Sequence, residues 1–307
     1  MANKKEFIFI IAAGILWGTS GIFVSLLAPL GFTSLQMTFS RGFVSLICMA
    51  AFAIISKRSA FRVKPTELLL FLGIGVSLFF TASCYFTSLQ MTSVSTAVVL
   101  MYTAPIYVSV FSALFFGEKM TPIKILSVAL MIVGCCLVSG IIGGMRFNLI
   151  GILIGVISGI AYAAYNIFTK AAMRRSCDPI STNIYSFLFM SAIAFCFSSP
   201  MNYFSSIAGS PGVALPLLIS LGVVTFVLPY LFYTLSLKAL PAGTASALSI
   251  VEPMSATVFS VILFDEPLGI ASAGGILLIL AAVFMLGRSD GGEKGIKKKT
   301  DGIHLKS

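Results

Sequence analysis

Arg41 and Glu252 each lie well inside a long apolar stretch of this 307-residue chain. A charged side chain near the centre of a bilayer costs about 2.5–3.5 kcal/mol on insertion scales, so such residues usually face a cavity or a partner. A cation and an anion at this depth would suit a zwitterionic substrate, and the Glu252 carboxyl group is also a candidate proton carrier. Structural roles are the alternatives: Glu252 could hydrogen-bond a backbone opened by Pro253, and Arg41 could snorkel to the outer surface.

Aromatic and amide side chains inside the same stretches form a second group of candidates. An indole or phenol buried in lipid needs a partner for its donor, so a shared cavity would account for several of them together. Aromatic faces also suit amphipathic or cationic substrates. Taken singly, each residue is better explained by packing between helices. The group comprises Trp17, Tyr102, Tyr107, Tyr162, Tyr165 and Asn166, whereas Tyr85 and Tyr233 are predicted to be anchors near opposite membrane surfaces.

Pro105 and Pro253 lie in the middle of two apolar stretches and are predicted to kink their helices, because each removes a backbone hydrogen bond. Carbonyl groups freed at such kinks could line a cavity. We expect a hinge or a bend around a pocket at both positions, with plain packing as the alternative. Glu118 and Glu266 are predicted at loop ends, where each would cap the helix that follows it.

The composition sets the environment of these residues. The hydrophobic set makes up 58% of the chain and charged residues only 10%, against about 25% charged residues in soluble proteins. This excludes a water-soluble enzyme, a disordered protein and a nucleic-acid partner. The sequence predicts an all-α polytopic membrane protein with ten spans, at residues 7–28, 34–55, 67–87, 93–116, 122–140, 149–169, 179–199, 213–236, 242–264 and 268–287.

The positive charges are distributed very unevenly among the predicted loops. Eighteen of the 20 Lys and Arg residues lie in alternate loops and at the two termini, whereas Arg146 alone lies in the opposite set and Arg41 lies within a span. The positive-inside rule then places both termini in the cytoplasm of a multi-pass protein of the cell (inner or plasma) membrane. Residues 288–307 are Gly-rich and basic, and are predicted to form a disordered cytoplasmic tail.

An internal repeat divides the chain. Shifting the sequence by 148 positions aligns residues 88–119 with 236–267 without a gap, and eleven of the 32 pairs are identical. The predicted halves are residues 1–140, with helices 1–5, and 141–287, with helices 6–10. Because five is odd, the second half must enter the membrane from the opposite side, which gives the inverted repeat found in many secondary transporters.

Short motifs in both halves resemble the signatures of one family. Ala104-Pro105 is followed thirteen residues later by Gly117-Glu118, and Val251-Glu252-Pro253 is followed by Asp265-Glu266. These motifs resemble those of the EamA family, within the drug/metabolite transporter (DMT) superfamily, as do Leu16-Trp17-Gly18 and Phe39-Ser40-Arg41 near the start. Asp265 departs from the pattern, since the family more often has Gly there. The resemblance implies ten helices and the movement of small metabolites or amino acids, usually outward.

Missing motifs narrow the function further. The sequence has no GxxxxGK[ST] phosphate loop, no HExxH and no GxSxG, and its one histidine is His304 in the tail. We therefore expect no enzyme, no cofactor and no metal site. The interpretation is a secondary transporter, an exporter of small metabolites such as amino acids, that works by alternating access with protons as a candidate coupling ion. An uncoupled facilitator of the same solutes, or a membrane sensor of amphipathic ligands, are the alternatives.

Overall fold

The computed structural model describes residues 2–92, 94–138, 148–264 and 269–285, and all regular structure in these ranges is helical. The first part of the chain forms α1 (Ala2–Gly18), α2 (Ser20–Leu27), α3 (Ser34–Ser56), α4 (Pro65–Met91), α5 (Val94–Met101), α6 (Ala104–Phe116) and α7 (Pro122–Val138). The second part forms α8 (Leu149–Arg174), α9 (Pro179–Phe197), α10 (Pro200–Gly209), α11 (Pro211–Gly222), α12 (Leu228–Leu237), α13 (Ala242–Leu248), α14 (Val251–Phe264) and α15 (Ile270–Met285).

Most of these helices are suited to a bilayer. In the described ranges, eight helical stretches are long and apolar enough to cross a membrane, and the apolar helices α7 and α15 are shorter. Several stretches join two helices end to end, as α1 joins α2 and α11 joins α12. Large apolar side chains remain exposed on their outer faces, including Leu114 at 72% and Ile270 at 94%. So much exposed apolar surface is expected of a protein surrounded by lipid.

Proline shapes the helices between residues 200 and 237. Pro229 lies in the first turn of α12 and has no N–H to donate, and the backbone just before it forms one π turn, Val223–Val227. The Leu228 N–H accordingly reaches back five residues to the Val223 carbonyl. The sequence did not predict α10, a ten-residue helix that begins at Pro200 beside the end of α9.

Two membrane-length stretches are interrupted near their midpoints. One is broken at Tyr102 and Thr103, between α5 and α6, and the other at Ser249 and Ile250, between α13 and α14. The Thr103 hydroxyl donates to the Leu100 carbonyl at 2.6 Å, and the Ser249 hydroxyl donates to the Ser246 carbonyl at 2.7 Å. These bonds satisfy carbonyl groups at the breaks, and proline fits the first turn of the helix that follows.

α1 packs against the start of α14, just after one break, and α8 packs against the end of α5, just before the other. A Cβ added at Gly18 of α1 would lie 2.9 Å from the Ala256 nitrogen of α14. A Cβ added at Gly159 of α8 would lie 2.8 Å from the Leu100 carbonyl oxygen at the end of α5. Only glycine permits such close approach of two backbones. The two broken stretches are therefore held in equivalent surroundings.

The loops rich in Lys and Arg lie together on one face of the molecule, which we call the basic face. Lys57 pairs with Asp178, and the Tyr185 hydroxyl donates to the Phe61 carbonyl at 2.9 Å. Arg174 donates to the Phe116 carbonyl at 3.2 Å. The Ser236 hydroxyl also bonds the carbonyl of Glu6, which brings the start of the chain to this face. Loops that are far apart in sequence but carry the same charge are thus direct neighbours.

Asp178 is the N-cap of α9 and accepts from the Ser181 N–H at 3.2 Å. Partial burial favours a higher pKa for this carboxyl group, but the hydrogen bonds from Lys57 and Ser181 outweigh burial and leave its pKa below the ordinary value. The other ends of the helices form the face that we call the opposite face. There the Phe32 ring meets the Tyr203 ring of α10 at 5.9 Å.

Some sequence-based predictions fall on residues that the structure does not describe. Arg146, Asp265, Glu266 and the tail 288–307 lie outside the described ranges, as do residues 139–147 at the predicted boundary between the halves.

Candidate functional site

A cavity of about 680 Å³ extends from the middle of the molecule toward the opposite face. Helices that begin at the basic face contribute residues from their middle and later turns, as α4 does from Leu78 to Leu89. α3 begins at the opposite face and contributes Arg41 from its first half. The polar and aromatic lining residues are Trp17, Ser20, Arg41, Thr81, Tyr85, Phe86, Tyr102, Tyr162, Phe226, Tyr230, Glu252 and Thr257.

Arg41 brings a cation to this cavity that has few protein partners. Its guanidinium lies over the Phe226 ring, 4.9 Å from the centroid, and one terminal nitrogen donates to Thr38 at 3.3 Å. The Nε atom is buried and has no hydrogen-bond partner within the described structure. Among the described residues, no carboxylate forms an ion pair with Arg41. Most of its donors are therefore available to a ligand.

Glu252 brings an anion to the same cavity. It lies in the first turn of α14, directly after the helix break, and lines the cavity together with Tyr102. Glu252 and Arg41 both line the cavity, but no direct ion pair joins them. The site therefore holds two opposite charges apart.

Aromatic rings form the inner wall of the cavity. Trp17 packs edge-on against Tyr230 with 5.2 Å between ring centroids, and Tyr230 in turn packs against Phe226 at 4.6 Å. The indole nitrogen of Trp17 is buried and has no acceptor among the described residues. Trp17 is only 6% exposed, so bulk water satisfies this donor poorly. A ligand in the cavity would offer it an acceptor.

Further tyrosines form a layer behind that wall, toward the basic face. The Tyr162 and Tyr165 rings are stacked with 5.8 Å between centroids, and Tyr165 stacks on Tyr233 at 5.9 Å. The Tyr233 hydroxyl donates to the Asn166 side-chain oxygen. Of these residues, Tyr162 lines the cavity, whereas Tyr165 and Asn166 support it from behind. This layer separates the cavity from the basic face.

The structure brings together five of the eight sequence-predicted binding residues, and it separates the others from the cavity. Trp17, Arg41, Tyr102, Tyr162 and Glu252 line the cavity together. Tyr107 is half-buried elsewhere on α6 and does not line it, and Tyr165 and Asn166 lie in the layer behind. Of the two prolines, Pro253 lines the cavity and Pro105 does not.

The prediction that Tyr85 and Tyr233 are surface anchors is wrong. Tyr233 has no exposed surface and is bonded to Asn166 inside the molecule, and Tyr85 lines the cavity. Tyr230 was missed altogether. A signal was present, because Phe226 and Tyr230 are four residues apart around Pro229 and thus share one face of a predicted span. Position along a span indicates the depth of a ring in the membrane but not the direction in which it points.

Comparisons with known proteins agree with this fold. The profile of the EamA-like transporter family matches residues 4–140 and 149–288. An uncharacterized transporter of Archaeoglobus fulgidus is 29% identical over 91% of this chain and 95% of its own length. The uncharacterized transporter YwfM of Bacillus subtilis is 24% identical over 91% of this chain and 92% of its own length. A crystal structure of another protein matches the fold with a TM-score of 0.75 and 17% identity, over 92% of this chain and 96% of that one.

The family match extends over nearly the whole chain and includes every described residue that lines the cavity. It also agrees with the apolar helices, which are long enough to span a bilayer many times. This chain is therefore a multi-pass membrane protein that belongs to the EamA-like transporter family of the DMT superfamily.

Proposed function

We propose that this protein exports small zwitterionic metabolites such as amino acids across the cell membrane by alternating access. The observation that carries the proposal is the pair Arg41 and Glu252, which line one cavity without an ion pair between them. Leaving a cation and an anion unpaired in a poorly hydrated site is costly. A ligand with a carboxylate and an ammonium group would satisfy both at once.

The aromatic wall favours a ligand that also has an apolar part. Phe226 and Tyr230 present ring faces and edges beside Arg41, and the free indole N–H of Trp17 is a donor for a carboxylate. The same wall would suit amphipathic amines, since ring faces attract cations. The substrate is thus expected to place its anion near Arg41 and its cation near Glu252.

The proposed architecture is ten helices in two inverted halves, residues 1–140 and 141–287, with both termini in the cytoplasm. The two helix breaks support it. The shift of 148 positions that aligns the sequence repeats moves the first break, at residues 102–103, to 250–251, one residue from the second break at 249–250. The separate family matches to 4–140 and 149–288 support it as well. The positive-inside rule then makes the basic face cytoplasmic, so that the cavity faces outward.

Proton coupling through Glu252 is part of the proposal. A carboxyl group inside the cavity can hold a proton in one state and release it in the other. Glu252→Gln should then abolish pH-driven uphill flux while exchange at high substrate concentration partly persists. Unchanged pH-driven uptake by Glu252→Gln vesicles would exclude Glu252 as the proton carrier, and no pH-driven uptake by the native chain would leave an uncoupled facilitator as the function.

The direct test is a counterflow screen in liposomes. Purified protein is reconstituted with unlabelled solute inside, and entry of labelled amino acids and amphipathic amines is followed. We expect transient accumulation of at least one amino acid, and none with Arg41→Met. The exposed variant Arg58→Gln, on the basic face, is the matched control and should transport normally. Absence of accumulation for every solute, with folded protein, would contradict transport and favour a sensor of amphipathic ligands.

A further inference from the structure

The segment from Leu237 to Gly243 connects α12 to α13 on the basic face, and Glu118 holds its end. Glu118 lies in the loop after α6, and its two carboxylate oxygens accept from the Ala242 N–H at 2.8 Å and the Gly243 N–H at 3.4 Å. The prediction that Glu118 caps the helix following it is therefore wrong, because it caps α13, whose first residue is 124 positions away. This contact joins the two halves of the chain.

Two buried lysines complete the contact. Lys124 of α7 is 4% exposed, and its ammonium lies 3.7 Å from the Glu118 carboxylate. Lys170 of α8 is 9% exposed and donates to the Leu237 carbonyl at 2.8 Å and to the Leu240 carbonyl at 2.5 Å. The segment is thus held at both ends by charged side chains. Such charge-assisted bonds are roughly twice as strong as neutral ones.

Hydroxyl groups without partners lie between this contact and the cavity. Each belongs to a residue that is at most 1% exposed, and none has a hydrogen-bond partner within the described structure. They are Ser109, Ser127, Thr244 and Ser246, from α6, α7 and α13. A buried hydroxyl left unpaired costs about 1–3 kcal/mol. Alanine would fill most of these positions without that cost, so the hydroxyls are better suited to a state in which water reaches them.

We propose that the contact of Glu118 with Ala242 and Gly243 is a latch that keeps the basic face closed, and that its release opens the hydroxyl layer to that face. The opened layer would form the second half of the transport path. The proposal rests on the proposed function, because only an alternating-access transporter needs a second opening. It assigns a positioning role to Glu118, which does not line the cavity.

The test measures side-specific accessibility and requires no substrate. The six cysteines are replaced by serine or alanine, and Ser246→Cys or Val24→Cys is introduced singly, to report on the hydroxyl layer and the cavity respectively. Oriented vesicles are treated with a membrane-impermeant maleimide from either side. We expect Glu118→Gln to raise the labelling rate of Ser246→Cys from the basic face about tenfold, the change that 1.4 kcal/mol produces in an equilibrium. Val24→Cys should be labelled more slowly from the opposite face.

A second variant disturbs the latch without removing a charge. A Cβ added by Gly243→Ala would lie 2.8 Å from the Lys124 ammonium and 2.9 Å from the Ser109 hydroxyl, so Lys124 must move. We expect the same reciprocal change, faster labelling of Ser246→Cys and slower labelling of Val24→Cys, but a smaller one than with Glu118→Gln. Lys119→Gln, on an exposed neighbour of Glu118, and Gly212→Ala, which meets nothing within 4 Å, are the controls.

The reciprocal change distinguishes opening from unfolding. Unfolding would raise both labelling rates, and that result would contradict the latch, as would unchanged rates in both Glu118→Gln and Gly243→Ala. A reciprocal change without counterflow of any solute would support the latch and contradict the proposed substrate class. Counterflow without a change in labelling would support the proposed substrate class and contradict the latch.

Discussion

The cavity and the basic face use charged side chains in contrasting ways. In the cavity, Arg41 and Glu252 both contribute to the lining, and neither forms an ion pair among the described residues. At the basic face, Glu118 caps a helix and Lys170 bonds two carbonyl groups, while Lys57 pairs with Asp178. Paired charges hold loops together. Charges that a fold leaves unpaired at a cavity are better explained by a ligand.

The largest expected effect follows from removing either cavity charge. Arg41→Met and Glu252→Gln should each weaken substrate binding tenfold to about a hundredfold, because a hydrogen bond to a charged group contributes about 1.5–3 kcal/mol. Neither variant should lower the thermal midpoint by much, since no ion pair is broken. Binding to purified protein and unfolding in detergent measure the two effects separately. A stability loss without an affinity loss would make both residues structural.

Two aromatic donors offer a smaller and sharper contrast. Tyr233→Phe removes the donor to Asn166 and leaves a buried amide oxygen unsatisfied, so stability should fall by about 1–3 kcal/mol. Trp17→Phe removes a donor that has no partner within the described residues, so stability should change less, while affinity falls about threefold to tenfold. Denaturation and equilibrium binding of both variants provide the comparison. Equal affinities for the native chain and Trp17→Phe would exclude the indole N–H from ligand binding.

The smallest effect concerns a paired charge at the basic face. Because the pKa of Asp178 is lowered in the folded protein, its charge stabilises the fold above its ordinary pKa of about 3.9, and the contribution is lost as the pH falls through the lower folded value. Asp178→Asn can still cap α9 but cannot pair with Lys57. It should cost about 0.2–1 kcal/mol near pH 7, and the difference from the native chain should vanish once the pH has fallen below the lowered pKa of Asp178. A difference that persists in acid would show that the charge is not its source.

The sequence predicted many of the residues in the cavity and at the basic face, but it did not predict which residues contact one another. Apolar length and charge in alternate loops indicate the spans and the basic face, because both properties are local and repeated. Pro105 and Pro253 indicated where helices would be disturbed, and the breaks precede them by two to four residues. The short helix α10 was missed because ten residues carry too little periodic signal. No local pattern in the sequence reveals that Glu118 meets Ala242, or that Tyr233 turns inward to Asn166, since both contacts depend on how distant helices pack.

The most direct measurement of the central claim uses the fluorescence of Trp17, which is the only tryptophan in the chain and lines the cavity. Purified protein is titrated with an amino acid, its amide, which lacks the carboxylate, and its N-acetyl derivative, which lacks the cation. The account predicts that the amino acid binds at least about tenfold more tightly than either derivative. It also predicts that Arg41→Met binds the amino acid no more tightly than the amide. Glu252→Gln should bind the amino acid no more tightly than the N-acetyl derivative. Equal binding of all three compounds to the native chain would contradict a site built around two separated charges.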